Sequence, residues 1–323
     1  MPGTSPAEWQ RIAGAFTAAV ESGRLDVPLP GSGATWDRWA SFADLAEEDL
    51  SLARLGEGHA DAIAILAELG GPRPRPGSRW GVWAANPPGP NVTASRQGGM
   101  WVLTGTKQYC SGARVCTHAL VTAAADDGPR LFAVAVGNLQ PLEGSWPATG
   151  MAGSDTLDVG FSTIPGVPIG QPDGYVRRPG FSHGGAGVAA CWYGGARAVG
   201  RTLLSAAAKR DIGPHALAHL GAVDLALRSA RSALRQAAAE IDADPGDHRG
   251  EGQLRALRVR TLTEAVATDV LARTGRALGA GPLSHDEAHS RAVADLTVYL
   301  RQHHAERDLA LLGERVAEQG ATW

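Results

Sequence analysis

The sequence predicts an α+β chain in three parts: a helical N-terminal region, a compact central β domain and a C-terminal four-helix bundle. Three observations carry this. Apolar residues recur at helical spacing up to about residue 70, the period shortens to strand-like runs beyond a proline-spaced linker, and a helical period returns from about residue 184. The boundaries drawn from these changes are 1–72, 73–178 and 179–323.

Pro6 to Val20 opens the chain as a candidate helix. Ser41 to Leu55 has apolar residues at helical spacing, and Asp61 to Leu69 continues it with Ile63, Leu66 and Ala67 until Gly70-Gly71-Pro72 stops the helix. After Gly71-Pro-Arg-Pro-Arg-Pro-Gly77 come short strand-like runs at Trp80–Ala84, Val92–Arg96, Met100–Thr104, Ala119–Ala123 and Leu131–Val136. Gly98-Gly99 and Asp126-Asp127-Gly128 between them are hairpin turn signals, and strands so spaced suggest a barrel or sandwich that closes near Pro168. Ala186–Lys209, Pro214–Ile241, Gln253–Leu278 and His285–Glu318 are four long helix candidates. Leu262, Val266 and Val270 mark one buried stripe, and four such helices with modest loops make a bundle.

Composition limits the functional classes. The chain has 323 residues, 44% apolar and 20% charged, with a formal net charge of −3, so bulk electrostatics give no case for nucleic acid or an anionic membrane. Three cysteines without a CxxC pair favour a reducing compartment. With no signal-type N-terminus and no run of 18 apolar residues, the expected address is the cytoplasm.

Two glycine- and hydroxyl-rich segments about forty residues apart carry the most information. They are Leu103-Thr-Gly-Thr-Lys-Gln-Tyr-Cys-Ser-Gly-Ala113 and Gly150-Met-Ala-Gly-Ser-Asp-Thr-Leu-Asp-Val-Gly-Phe161. In this order, followed by a helical half, they resemble the middle domain of the acyl-CoA dehydrogenase superfamily. The resemblance implies a small antiparallel β-barrel between helical regions, FAD as cofactor, and a homodimer or homotetramer. It also implies that Tyr109 and Ser111 meet the flavin ring. Val82-Trp-Ala-Ala-Asn-Pro-Pro-Gly-Pro90 stands where the family has a Thr-Glu-Pro turn, with Asn86 replacing the acid. Lys209-Arg-Asp-Ile-Gly-Pro-His215 resembles an Arg-x-x-Phe-Gly turn, which makes Arg210 a phosphate contact from a neighbouring subunit, with Ile212 in place of phenylalanine. Gly275-Arg-Ala-Leu-Gly-Ala-Gly-Pro-Leu283 stands where the family has a glutamine and a glycine-rich turn that reaches the cofactor from another subunit, with Arg276 at the glutamine position, Gly279 kept and Pro282 in place of a later glycine. The resemblance implies that Arg276 and Gly279 lie near the cofactor.

The last helix candidate carries the reaction. Val293, Leu296 and Leu300 mark its buried stripe, and the same spacing puts His303 on it. Set against the family, His303 falls where many members hold the glutamate that removes an α-proton, and Glu306 one turn on either orients it or is itself the base. The bland reading of His303 is a buried histidine bonded to a neighbouring helix. His285-Asp-Glu-Ala-His289 has the i, i+4 histidines of a metal site, but Ser284-x-x-Glu287 is a capping box and no metal is expected.

Three functions follow. The first is an FAD-dependent oxidoreductase acting at a CH–CH bond of an acyl thioester or related small molecule, with an unidentified electron acceptor. The second is a flavin monooxygenase of the same fold, which needs no α-proton base. The third is a member that has lost catalysis and serves as a binding or assembly partner.

Overall fold

The computed structural model describes residues 6–89 and 91–319. The first helices are α1 (Pro6–Glu21), α2 (Thr35–Glu48) and α3 (Leu50–Glu68). The strands are β1 (Trp80–Trp83), β2 (Thr93–Gln97), β3 (Met100–Cys110), β4 (His118–Ala125), β5 (Gly128–Ala135), β6 (Gln140–Leu142), β7 (Leu157–Pro165) and β8 (Val167–Ile169). Then come α4 (Gly174–Arg177), α5 (Pro179–Lys209), α6 (Gly213–Ala243), α7 (Gly252–Leu278), α8 (Gly281–His285), α9 (Glu287–Tyr299) and α10 (Glu306–Gln319). The described residues form two compact units, drawn from Met1–Val27 with Arg54–Phe181 and from Pro28–Ala53 with Ser182–Trp323.

In the first unit the strands run in the order β6-β7-β3-β2-β4-β5-β8, with β1 joined to β4. The two predicted hairpin turns are present: Gln97 pairs with Met100 across Gly98-Gly99, and Ala125 pairs with Gly128 across Asp126-Asp127. Two expectations need correction. Among the described residues β6 and β8 do not pair, so the sheet stays open and no barrel closes. Nor is it wholly antiparallel, because β1 and β2 each pair with β4 in parallel. Helix α3 covers one face. Ala62, Ile65 and Leu66 meet Trp80, Leu120, Leu131, Ala133 and Ile169, the inward positions of strands that alternate in burial. Each large apolar side chain buried there contributes about 1.5–3 kcal/mol.

His59 of α3 is the unusual member of this core. Its Nδ1 accepts the Trp80 N–H at 3.2 Å, and the Phe16 ring lies edge-on to it. Burial holds its pKa at about 4, with Asp26 pulling weakly the other way.

In the second unit α6 and α7 span the lengths expected from their periodicity, while α5 ends where expected at Lys209 but begins seven residues early, at Pro179. The fourth bundle helix differs: it breaks into α9, a 3-10 turn at Leu300–Gln302 and α10, and His303 lies in the break. The N-terminal helical run also breaks, at Asp49. That residue is extended, ends α2, and turns its carboxylate to the Leu52 N–H at 3.0 Å as the cap of α3. Helix α2 crosses α5 at Gly194, where an added Cβ would lie 2.1 Å from the Ala43 carbonyl oxygen and 2.7 Å from Ala46 Cβ. The three cysteines, Cys110, Cys116 and Cys191, are all free and buried.

Two outcomes follow for stability. Gly194→Ala has no room at the crossing and lowers unfolding free energy by about 3 kcal/mol in urea denaturation, the upper end of ordinary overpacking. His59 is neutral when folded, with a pKa depressed below its unfolded value. Its contribution is therefore complete above pH 6.5 and is lost as pH falls towards 4, amounting to about 3 kcal/mol. A His59→Gln variant measured across the same range loses that part of the slope.

Candidate functional site

The two glycine-rich segments meet side by side in the first unit. β3 and β7 pair with two irregularities, between Leu103 and Gly105 and between Lys107 and Cys110. At the first, Gly105 has φ 126° and an added Cβ would lie 2.4 Å from the Asn91 carbonyl oxygen, so only glycine fits. At the second, three steps along β3 oppose two along β7, and the extra residue puts Tyr109 at φ 60°. A tyrosine in the left-handed region is strained by about 1 kcal/mol or more. The Asp158 carboxylate holds its N–H at 3.3 Å, and its ring, 50% exposed, stands edge-on to Trp146 at 6.4 Å. The bulge thus turns an aromatic face outward from a strand.

Ser111 points inward. Its hydroxyl lies 2.9 Å from Thr156 Oγ1, which is 2.8 Å from Ser154 Oγ, and Ser154 donates to the Met151 carbonyl at 2.7 Å. Each hydroxyl has one proton, so the last bond fixes the rest: Thr156 donates to Ser154 and Ser111 donates to Thr156. Ser111 is left with lone pairs to offer a ligand and no proton. Lys107, the buried lysine of this motif, is structural. Its ammonium donates to Asn91 Oδ1, to the Thr122 carbonyl and to Thr122 Oγ1 at 2.9–3.0 Å, and burial pulls its pKa down to about 8. Asn91 also bonds Asn86, the residue at the acidic position of the Val82–Pro90 turn; Pro90 lies outside the described residues.

A clasp joins the two segments. Gly112 N–H donates to the Ser154 carbonyl at 2.9 Å and Ala113 N–H to that of Asp155 at 3.1 Å. The Asp155 carboxylate, 3% exposed, takes three bonds from Arg114: from its N–H and Nε at 2.8 Å and from Nη2 at 2.5 Å. Burial pushes the Asp155 pKa up and Arg114 opposes it. Glu143 and the Trp9 ring, 3.9 Å from the guanidinium carbon, complete the cage around Arg114.

In the second unit the sequence-predicted residues fall at three places. His303 is buried at the α9–α10 break, with extended backbone in place of the expected helix. Its Nε2 lies 3.0 Å from Thr261 Oγ1 and 3.8 Å from the Asp308 carboxylate, and its Nδ1 accepts the Ala305 N–H at 3.1 Å. Trp192 lies edge-on at 6.5 Å, and its indole N–H has no acceptor among the described residues. Arg260 sits over the Trp192 ring and donates to the Gly185 and Gln302 carbonyls at 2.9 and 2.8 Å. Burial lowers the His303 pKa, opposed by Asp308 and Glu264 and reinforced by Arg260. Glu306 is exposed at the start of α10 and makes no hydrogen bond to His303 among the described residues; the carboxylate beside the imidazole is Asp308.

Arg210 is exposed just beyond α5, and Arg276 is exposed in the last turn of α7; neither side chain has a partner among the described residues. Gly279 caps α7 at φ 67°, a conformation suited to glycine. The cap of α9 is Asp286, taking the His289 N–H at 3.0 Å, in place of the expected Ser284. His289 Nδ1 meets Thr202 and His285 Nδ1 meets the Gly281 carbonyl, so the two histidines serve different partners. A cleft of about 510 Å³ runs past His289, Thr202, Arg201, Lys209, Glu47 and Asp295, with both charge signs on its walls.

Thr156 and Arg114 in one unit, and Thr261, Arg260 and Asp308 in the other, hold these arrangements together without having been singled out in the sequence, where Asp155 is a turn residue that bonds neighbouring amides. Thr156 and Asp155 lie within the second glycine-rich segment and Asp308 just beyond His303; Arg114, Thr261 and Arg260 carry no local signal. Asp155→Ala removes the carboxylate that holds Arg114 and is expected to cost about 3 kcal/mol in urea denaturation, the low end for a broken buried pair because Arg114 keeps some solvent contact.

No family profile matches the sequence, and no curated protein does. Solved structures do match. Dibenzothiophene monooxygenase from Paenibacillus sp. A11-2 superposes with a TM-score of 0.74 at 19% identity, over 95% of each chain. KijD3, solved with FMN and a dTDP-linked amino-keto sugar, gives 0.78 at 19% identity, covering 98% of this chain and 92% of its own. Methanesulfinate monooxygenase from Pseudomonas fluorescens gives 0.74 at 18% identity, covering 99% and 98%. The Paenibacillus enzyme has also been solved with FMN and indole. With its N-terminal helices, central sheet and C-terminal helices, this chain has the acyl-CoA dehydrogenase-like fold.

Proposed function

We propose that this chain is a flavin-dependent monooxygenase that uses FMN, with a small organic molecule as substrate. The observation that carries the reading is the state of the two carboxylates described at the α9–α10 break, where the resemblance expects the base: neither stands free to act as one. Dehydrogenation of an acyl thioester needs a base there. Glu306 points to solvent, and Asp308 is committed to the His304 N–H at 3.0 Å. Oxygen insertion needs no such base. The likeness to monooxygenase folds supports the same choice.

The residues present fit a flavin. Tyr109 offers an exposed aromatic face, and Ser111 offers an acceptor whose own proton is engaged. Arg210 and Arg276, unpaired at helix ends, suit a phosphate, with Gly279 allowing close backbone approach; the resemblance assigns these three to a neighbouring copy, and hence at least a homodimer. FMN is preferred to the FAD first expected, because two solved neighbours carry it and Ile212 replaces the phenylalanine that the resemblance places on the adenine side. Reduced FMN, when bound, would supply the two electrons that put one oxygen atom into the substrate and release the other as water. A separate reductase is the expected source of those electrons. Among the described residues no helix is long and apolar enough to cross a membrane.

Titration with oxidised and dithionite-reduced FMN, read by flavin fluorescence, tests the cofactor. Ser111→Ala, which removes one hydrogen-bonding group, weakens binding about fivefold to tenfold. Oxygen uptake driven by a flavin reductase supports the monooxygenase. Anaerobic bleaching of bound flavin by an acyl thioester would instead establish the dehydrogenase, and no binding of FMN or FAD would leave the scaffold reading.

A further inference from the structure

The fourth bundle helix breaks at His303-His304-Ala305, with Ala305 at φ 47°. Nothing about alanine favours that conformation, which costs about 1–2 kcal/mol. The surroundings hold it. The Asp308 carboxylate takes the His304 N–H at 3.0 Å, while the N–H groups of Asp308 and Leu309 both bond the Ala305 carbonyl at 3.1 Å. In this position the Ala305 N–H is aimed back at His303 Nδ1, 3.1 Å away.

A backbone N–H only donates. His303 Nδ1 must therefore present a lone pair, and the neutral ring must carry its single proton on Nε2. The groups facing Nε2 agree, for both Thr261 Oγ1 at 3.0 Å and the Asp308 carboxylate at 3.8 Å are acceptors. We infer that His303 is locked as the Nε2–H tautomer by the Ala305 amide and acts as a fixed hydrogen-bond donor to Thr261, not as a base. Neither ring nitrogen has a free lone pair for a substrate proton. Thr261, having accepted from His303, keeps its own hydroxyl proton to donate elsewhere, so the break ends in a donor. That direction suits a hydrogen bond given to an oxygen and not removal of a proton from carbon, and this last step rests on the proposed monooxygenase reading. Ala305 is a positioning residue, acting through His303.

The tautomer is measurable without flavin, so it stands or falls apart from the proposed function. In protein labelled with 15N-histidine, long-range 1H–15N correlation at pH 7.5 distinguishes protonated from unprotonated ring nitrogens, and His303→Gln identifies the signal. The expected result is an unprotonated Nδ1 and a protonated Nε2. A proton on Nδ1, an imidazolium, or an averaged pair of tautomers overturns the assignment. Thr261→Val is the second arm. The pattern should persist, since the Ala305 amide sets it; a switch towards Nδ1–H would transfer the role to Thr261 and refute the positioning by Ala305.

Discussion

The Arg114–Asp155 pair is the constraint on which the glycine-rich turns of the first unit depend. A carboxylate so buried is stable only where its charge is matched and its oxygens are bonded, and Arg114 supplies both through its backbone and its guanidinium. The pair lies just beside the two backbone bonds that lace Gly112 and Ala113 to Ser154 and Asp155. Those bonds set the spacing between Ser111 and Thr156, and through it the direction of the hydroxyl chain. Tyr109 is held from the other side by Asp158, whose own N–H is fixed by Ser145. The aromatic face and the acceptor hydroxyl, two residues apart in sequence, thus inherit their orientation from separate carboxylates.

The helical unit uses a similar device with different parts. An acidic side chain one turn into α10 holds an amide of the break, and the strained residue beside it directs a second amide at a side chain. In both places a left-handed non-glycine residue is kept by bonds to its neighbours: at Tyr109 it turns a side chain outward, and at Ala305 it fixes which partner gives a proton and which receives one.

Much of the architecture was legible in the sequence. The strand runs, the hairpins at Gly98-Gly99 and Asp126-Asp127, and the spans of α6 and α7 follow from periodicity and turn residues; the glycine-rich first two turns of α5 do not. What stayed hidden has physical reasons. The parallel pairing of β1 and β2 with β4 is set by long-range packing and leaves no local mark. The break at His303 was missed because its left-handed residue is an alanine, where a glycine or asparagine would have announced it. Asp49 is an ordinary capping residue inside a continuous apolar pattern. Tyr109 and Ser111 are singled out by motif resemblance alone, whereas Thr261 lies 42 residues from His303 and Thr156 45 from Ser111, joined only by folding.

The burial of all three thiols has a practical side. Cys110 lies where burial raises its thiol pKa well above the usual range, and Cys116 is pushed to about 12, so neither forms the thiolate that alkylating reagents attack. Cys191 is sealed inside α5 with no exposed surface. The native chain is therefore chemically silent towards thiol probes. One cysteine introduced at an exposed position such as Met100 becomes the sole reactive site, and a spectroscopic label can be attached without first removing any native residue.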